Sequence, residues 1–296
     1  MSLAYALITP ARNEAENLRR LAGCLAEQTI PPQAWLVVDD GSTDGTAELA
    51  FELAAELPAL QVLSSVGART KAGPLEAGRQ SGRDIVAFKI GLEALEGRPD
   101  VVLKLDADVS FAPDFLERLL DEFEADPRLG IAGGVCWERD GDEWRPYHVT
   151  GGHVRGATRA YRRECLLDVS PLEERIGWDA VDEMRANLNG WSTRSIQSLP
   201  FYHHRRLGER DGARREWEAQ GRMAHYLGYR ISYLLARTLW RVRTERAAVA
   251  MLSGYASAAL RREPRGPAEL RAYLRREQRI RKLPLRLREA LGRPAS

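Results

Sequence analysis

Val101-Val102-Leu103-Lys104-Leu105-Asp106-Ala107-Asp108 is an apolar run that ends on two carboxylates one residue apart. Taken as a strand, it places Val101, Leu103 and Leu105 on one face, with Val102 and Lys104 on the other. Strands disfavour Asp, so the run stops at Asp106. Phe111-Ala112-Pro113-Asp114 follows and reads as a helix start, with Pro113 near the first helical position. Asp106 and Asp108 are therefore expected at the carboxyl end of a buried strand, where open α/β sheets bind their ligands. Two carboxylates there suit a hard divalent cation holding phosphate. The alternative is that one Asp caps the turn and the other is solvated.

Outward from this run, the same pattern recurs. Leu3 to Thr9 reads as a first buried strand ended by Pro10, and Asn13 or Glu14 opens a helix with Leu18, Leu21 and Leu25 at helical spacing. Ala34 to Val38 is a second strand and runs into Asp39-Asp40-Gly41-Ser42-Thr43-Asp44-Gly45-Thr46. A helix from about Thr46 to Leu57, a short strand from Leu60 to Leu63, a loop from Ser64 to Gly82 and a helix from Arg83 to Leu95 are expected next. This β-α-β-α-β-α-β alternation predicts an α/β fold, a mainly parallel sheet flanked by helices. Beyond the carboxylates, Phe115 to Phe123 continues a helix and Gly130 to Cys136 is a strand. Thr158 to Leu167 is expected as a helix, Asp179 to Leu188 as another, and Ser192 to Leu199 as a strand. From Gly212 to about Arg281 nearly everything has helical character.

The formal net charge of +2 conceals an asymmetry: residues 201–296 carry 23 Lys/Arg against 9 Asp/Glu, leaving residues 1–200 at −12. A basic tail on an acidic body suggests an anionic partner, either membrane or nucleic acid, with a solvated Arg-rich helical face as the other interpretation. No helix-turn-helix or RNA-binding motif stands out, so no nucleic-acid partner is expected. Cys24, Cys136 and Cys165 are scattered without metal-type spacing, which suits reduced thiols and a cytoplasmic setting. The longest late apolar stretch, Ala247 to Leu260, falls short of the roughly 20 residues that span a bilayer.

Several of these pieces together resemble one family. Ile8-Thr9-Pro10-Ala11-Arg12-Asn13-Glu14 is similar to the opening strand and loop of family 2 glycosyltransferases. Val37 to Thr46 resembles that family's second strand and turn, and Leu105-Asp106-Ala107-Asp108 falls where the family keeps its metal motif. Gly177-Trp178-Asp179-Ala180-Val181-Asp182-Glu183 and Asn189-Gly190-Trp191 resemble its acceptor-side helix. The match covers roughly residues 3–206. It implies a GT-A catalytic domain over 1–206, with a nucleotide-sugar half (1–108) and an acceptor half (109–206), followed by a basic helical extension over 207–296.

The resemblance implies inverting transfer of a sugar from a UDP, GDP or dTDP donor to an acceptor hydroxyl, on a glycan or a lipid-linked carrier, in cell-envelope or related glycan synthesis. Pro10, Ala11, Arg12 and Glu14 would line the nucleotide pocket, with Asp40 near the base or ribose. Asp106 would approach ribose and metal, and Asp108 would hold Mg²⁺ or Mn²⁺. Lys71, Arg79 and Arg83 could meet phosphate. One of His203 and His204, taken as His204, could ligate the cation, with Arg205 or Arg206 on phosphate. The family usually carries an adjacent acidic pair whose second member is the base. Here the pattern is Trp-Asp-Ala-Val-Asp-Glu, so Asp182 is the first choice as base and Asp179, three residues away on the same helical face, the second. Asp182 as a plain first-turn carboxylate, and Asp179 as a helix cap, are the structural alternatives. Glu183, Arg155 and Trp178 would border the acceptor, and Trp137 and Trp144 could stack on a sugar or serve as structural aromatics. The tail could lie on the inner face of the plasma membrane, dock on the catalytic domain or pair with a second subunit.

A sugar nucleotidyltransferase shares the sheet and the metal logic. It would show a Gly-rich basic loop after the first strand, which Pro10-Ala11-Arg12-Asn13-Glu14 lacks. A non-catalytic nucleotide-binding scaffold on a membrane surface is the non-enzyme alternative.

Overall fold

The computed structural model describes residues 3–67, 82–147, 153–205, 212–282, 284 and 288. Among these, nine strands form one sheet of order β3-β2-β1-β4-β8-β6-β9-β5, with β7 paired to β6. Its first half is β1 (Tyr5–Ala11), β2 (Ala34–Asp39), β3 (Leu60–Ser64) and β4 (Val101–Leu105), all parallel. Three helices connect them: α1 (Ala15–Ala26), α2 (Thr46–Glu56) and α3 (Arg83–Ala94). The strands are apolar on both faces because helices cover both. Leu7, Trp35, Val37, Leu103 and Leu105 face α1 and, later in the chain, α4 (Phe115–Ala125). Ile8, Leu36, Val38 and Val102 face the other way, with Phe88 of α3. The alternation expected of Val101 to Leu105 is present, and Lys104 is buried on the second face.

The second half is mixed. β5 (Val109–Phe111) pairs antiparallel with β9 (Ser192–His203), which runs parallel to β6 (Leu129–Asp140). β7 (Glu143–Pro146) pairs antiparallel with β6. Residues 158–167 correct the expected helix: Thr158–Arg162 is β8, wedged antiparallel between β4 and β6, and the helix α5 begins only at Arg163 and ends at Val169. Every residue from Thr158 to Tyr161 is buried. Pairing on both sides overrides a sequence whose two arginines conceal its period of two. α6 (Trp178–Leu188) closes the second face.

The tail forms α7 (Ala213–Tyr226), α8 (Ile231–Val242), α9 (Ala250–Leu260) and α10 (Ala268–Glu277). It docks on the catalytic unit: Met223 of α7, Leu227 just after it and Leu270 of α10 pack with Val181 and Met184 of α6. α7 and α9 cross closely enough to require glycine on both sides. A Cβ on Gly221 would lie 2.1 Å from the Met251 carbonyl oxygen, and one on Gly254 2.0 Å from that of Glu218. Among the described residues no helix is long and apolar enough to cross a membrane.

Candidate active site

The first cluster of polar side chains gathers beyond the carboxyl ends of β1, β2 and β4. Pro10 and Ala11 close β1, and Ala11 lies in register with Asp39 of β2. The Asp39 carboxylate accepts from the Gly41 and Ser42 amides, so this residue builds the turn. Asp40 accepts from Ser65 Oγ at 2.7 Å and from the Arg83 guanidinium, with Arg12 at 3.7 Å. Glu14 is buried and receives Arg205 through both guanidinium nitrogens, at 2.6 and 2.5 Å.

Asp106 and Asp108 sit immediately after β4, as the sequence predicts. Together with His203 they present ligand atoms that all lie within 4.8 Å of one another. β9 pairs with β5 at Val109↔His203, which brings the imidazole to the second carboxylate, Nε2 to Oδ1 at 3.2 Å. Burial alone would raise the Asp108 pKa; the hydrogen bond and charge of His203, with Arg205 nearby, more than offset it and hold the carboxyl down at about 2. Nδ1 of His203 is buried with no hydrogen-bond partner among the described residues. Two carboxylates and an imidazole suit Mn²⁺ or Mg²⁺. The expected histidine was His204, but its Nε2 lies 2.7 Å from Ser110 Oγ and its ring meets Trp144 edge-on. It follows the last residue of β9, and it is His203 that the strand turns inward to Asp108.

The second cluster lies beneath α6. Cross-strand pairing sets Lys104 of β4 opposite Arg159 of β8, on one buried face. Like charges in that position repel, and each is neutralised by its own carboxylates. Lys104 Nζ is 2.5 Å from Asp106 and 3.3 Å from Asp84. Arg159 donates to Asp182, to Glu183 at 3.0 Å and to the Asp179 carbonyl at 2.8 Å. The Trp178 ring stands 5.4 Å from Lys104 and 5.6 Å from the Arg159 guanidinium, so this tryptophan spaces two cations. Asp182 is 1% exposed, and its second oxygen accepts from Tyr161 Oη. Burial raises its pKa to about 7, against the pull of Arg159 and Tyr161. A value near 7 would suit a general base, but reach comes first, and Asp182 is not among the residues lining the adjoining cavity.

That cavity, about 310 Å³, lies between α6 and the tail. Asp179, Glu183, Trp178 and His153 line it from the core, together with Arg155 and Tyr147, and α8 adds Arg237 and Arg241. Glu183 is occupied: it accepts from the Val154 amide at 2.7 Å, from His153 at 3.0 Å and from Arg159. Asp179 lies 3.5 Å from His153 Nε2. Burial would lower the His153 pKa, but Glu183 and Asp179 raise it on balance. Two links join cavity to carboxylates. Trp178 touches both through Lys104, and Arg155 holds Glu138 at 2.7 Å, whose carboxylate clusters with His203.

Sequence reasoning thus placed Asp106, Asp108 and Asp40 at one end of the sheet. It missed Lys104 and Arg159 as buried cations, although the period-two spacing of Arg159 and Tyr161 was the available signal. Lys71, Arg79 and Arg206 lie outside the described residues. Trp137 and Trp144 both pack on Tyr202.

Residues 6–170 match the family model described as Glycosyl transferase family 2. The chain is 33% identical over 223 residues to polyprenol monophosphomannose synthase of Mycolicibacterium smegmatis, spanning 68% of this chain and 78% of that protein. It is 32% identical over 219 residues to undecaprenyl-phosphate mannosyltransferase of Micrococcus luteus, spanning 68% and 84%. Among solved structures it is similar to mannosyltransferase PcManGT of Pyrobaculum calidifontis in complex with GDP-Man and Mn²⁺, with TM-score 0.57 and 16% identity over 98% of this chain and 85% of that one. S. aureus TarS is similar at TM-score 0.53 and 20% identity, over 82% of this chain and 44% of that one.

Proposed function

Because the chain belongs to glycosyl transferase family 2 and has the GT-A fold, we propose that it moves a sugar, mannose in the first instance, from a nucleoside diphosphate to the phosphate of a polyprenyl phosphate, with inversion and with a divalent cation. The observation that carries this is the Asp106, Asp108 and His203 constellation, joined through Glu138 and Arg155 to a cavity lined by arginines. The names of the relatives at 33% and 32% identity support mannose and a polyprenyl phosphate acceptor.

Asp106, Asp108 and His203 would hold Mg²⁺ or Mn²⁺. Bound there, the cation offsets the charge that grows on the diphosphate as the sugar–oxygen bond breaks. Arg12, Glu14, Asp40 and Arg83 would frame the nucleoside. The low pKa of Asp108 keeps it ionised across the physiological range. Single displacement from the face opposite the diphosphate inverts the anomeric centre.

A hydroxyl nucleophile would need a base, and Asp182 was the expected one. A phosphate monoester, with a second pKa of about 6, arrives ionised at neutral pH. The acceptor side then needs positive charge more than it needs a free carboxylate. That fits a chain whose Asp182 and Glu183 are already held by Arg159, Tyr161 and His153. The basic tail and the lipid carrier together favour a peripheral position at the inner face of the membrane.

The test is a transfer assay with GDP-mannose, UDP-glucose and a dTDP sugar, each with undecaprenyl phosphate and with Mn²⁺ or chelator. A metal-dependent lipid-phosphate sugar of inverted configuration is expected from GDP-mannose. No lipid product from any donor, alongside a Mn²⁺-dependent thermal shift with a nucleotide, would sink the acceptor assignment and keep the donor site.

A further inference from the structure

We propose that the tail completes the acceptor site: Arg237 and Arg241 of α8, with Arg155 of the core, bind the phosphate of the polyprenyl carrier. This rests on the function proposed above and assigns that site's anion-binding residues.

The three arginines line one cavity. The Arg155 and Arg241 guanidinium groups stand 4.7 and 5.1 Å from the centre of the same ring, that of Tyr147. Arg237 donates to Tyr229 Oη and to Gln220 Oε1, both at 3.2 Å. Among the described residues neither Arg237 nor Arg241 has a carboxylate within ion-pair distance, whereas Arg155 holds Glu138. A half-buried guanidinium without a counter-ion carries a desolvation cost that an anionic ligand removes, and phosphate accepts a guanidinium fork through two oxygens. The carboxylates sharing the cavity are engaged elsewhere: Asp179 and Glu183 with His153, Glu216 with Gln220, and Glu277 with Lys282.

The position also suits a lipid carrier. α8 sends Arg237 and Arg241 to the cavity and Ile231, Leu235 and Leu239, one helical turn apart, to solvent at 54%, 51% and 68% exposure. The phosphate would enter between the core and a helix whose outer stripe is apolar. Transfer then balances without a proton. A phosphate oxygen's electron pair forms the bond to the anomeric carbon. The bond to the nucleoside diphosphate breaks with its pair, so the acceptor dianion becomes a phosphodiester monoanion and the nucleoside diphosphate gains one negative charge.

The experiment compares full-length protein with Arg237→Gln, Arg241→Gln and the double variant, using undecaprenyl phosphate, undecaprenol and phosphatidylglycerol vesicles. Each single variant should raise the acceptor KM on the order of tenfold and the double on the order of a hundredfold. The Mn²⁺-dependent thermal shift with GDP should be unchanged, which also reports folding, and Arg241→Lys should recover part of the loss. Wild-type protein should retain undecaprenyl phosphate vesicles over undecaprenol ones, and the double variant should lose that preference. An unchanged acceptor KM in the double variant overturns the proposal, as does a double variant that keeps the wild-type preference for undecaprenyl phosphate over undecaprenol vesicles or loses phosphatidylglycerol vesicles to the same extent. Failure of wild type to use undecaprenyl phosphate at all instead overturns the function on which the proposal rests.

Discussion

Two acidic groups in this chain look alike in sequence and do opposite things in the fold. Asp106 and Asp108 follow β4; Asp182 and Glu183 sit in the first turns of α6. The first pair faces a histidine with an orphaned nitrogen and converging ligand atoms. The second is saturated by Arg159, Tyr161, His153 and a backbone amide. The difference lies in the cations behind them. Lys104 takes one oxygen of Asp106 and leaves Asp108 to His203. Arg159 reaches Asp182 and Glu183 at once and binds them into the scaffold. A carboxylate pair is a site or a brace according to what its cross-strand neighbours supply.

The contrast breaks most sharply at Asp108. Asp108→Ala should lower transfer about a thousandfold or more, in the range that removal of a dominant electrostatic element costs. The Mn²⁺-dependent thermal shift with nucleotide should vanish with it. A variant within tenfold of wild type would show that this pair is no more a ligand site than the one on α6.

The brace should answer in stability. Arg159→Ala leaves buried carboxylates without their cation, and breaking such a pair costs about 3–5 kcal/mol. Chemical denaturation should report that loss. Asp182→Asn keeps an oxygen acceptor for Arg159 and turns an amide N–H toward Tyr161 Oη, and should cost less, on the order of 1–3 kcal/mol, with kcat of the folded enzyme within tenfold. An unchanged denaturation midpoint with a thousandfold loss of kcat would return Asp182 to the role of base.

The first half of the sheet, β1 to β4, was legible because its physics is local. Short apolar runs, two of them closed by Asp39 and Asp106, specify parallel strands and their ligand end together. Even the side on which Lys104 emerges follows from the strand's period of two. The second half of the sheet and the tail were not legible in the same way. Thr158-Arg159-Ala160-Tyr161 is a strand only because β4 and β6 bracket it, and its arginine suggests solvent until its partners on α6 are known. His203 rather than His204 meets Asp108 because β9 runs four residues beyond Leu199, where the expected strand stops. The tail's helices were visible; their docking on α6 depends on Met223, Leu227 and Leu270 meeting Val181 and Met184, a pairing with no local signature.

The smallest expected effect separates a phosphate nucleophile from a hydroxyl. Asp179 is the one α6 carboxylate that both lines the cavity and stays clear of the Arg159 side-chain fork. If the acceptor were a hydroxyl, Asp179 would be the group placed to take its proton, and Asn there would cost on the order of 10²–10⁴ in rate. For a phosphate acceptor, Asp179→Asn should cost less than tenfold. The pH profile carries the sign. Attack needs the dianion, so activity is present above the phosphate pKa of about 6 and falls as the pH drops below it. That limb belongs to the substrate, and both wild type and Asp179→Asn should show it at the same pH. Its disappearance or displacement in the variant would mean that the enzyme's carboxylate supplies the limb, and that the arginines of α8 face a ligand other than the attacking group.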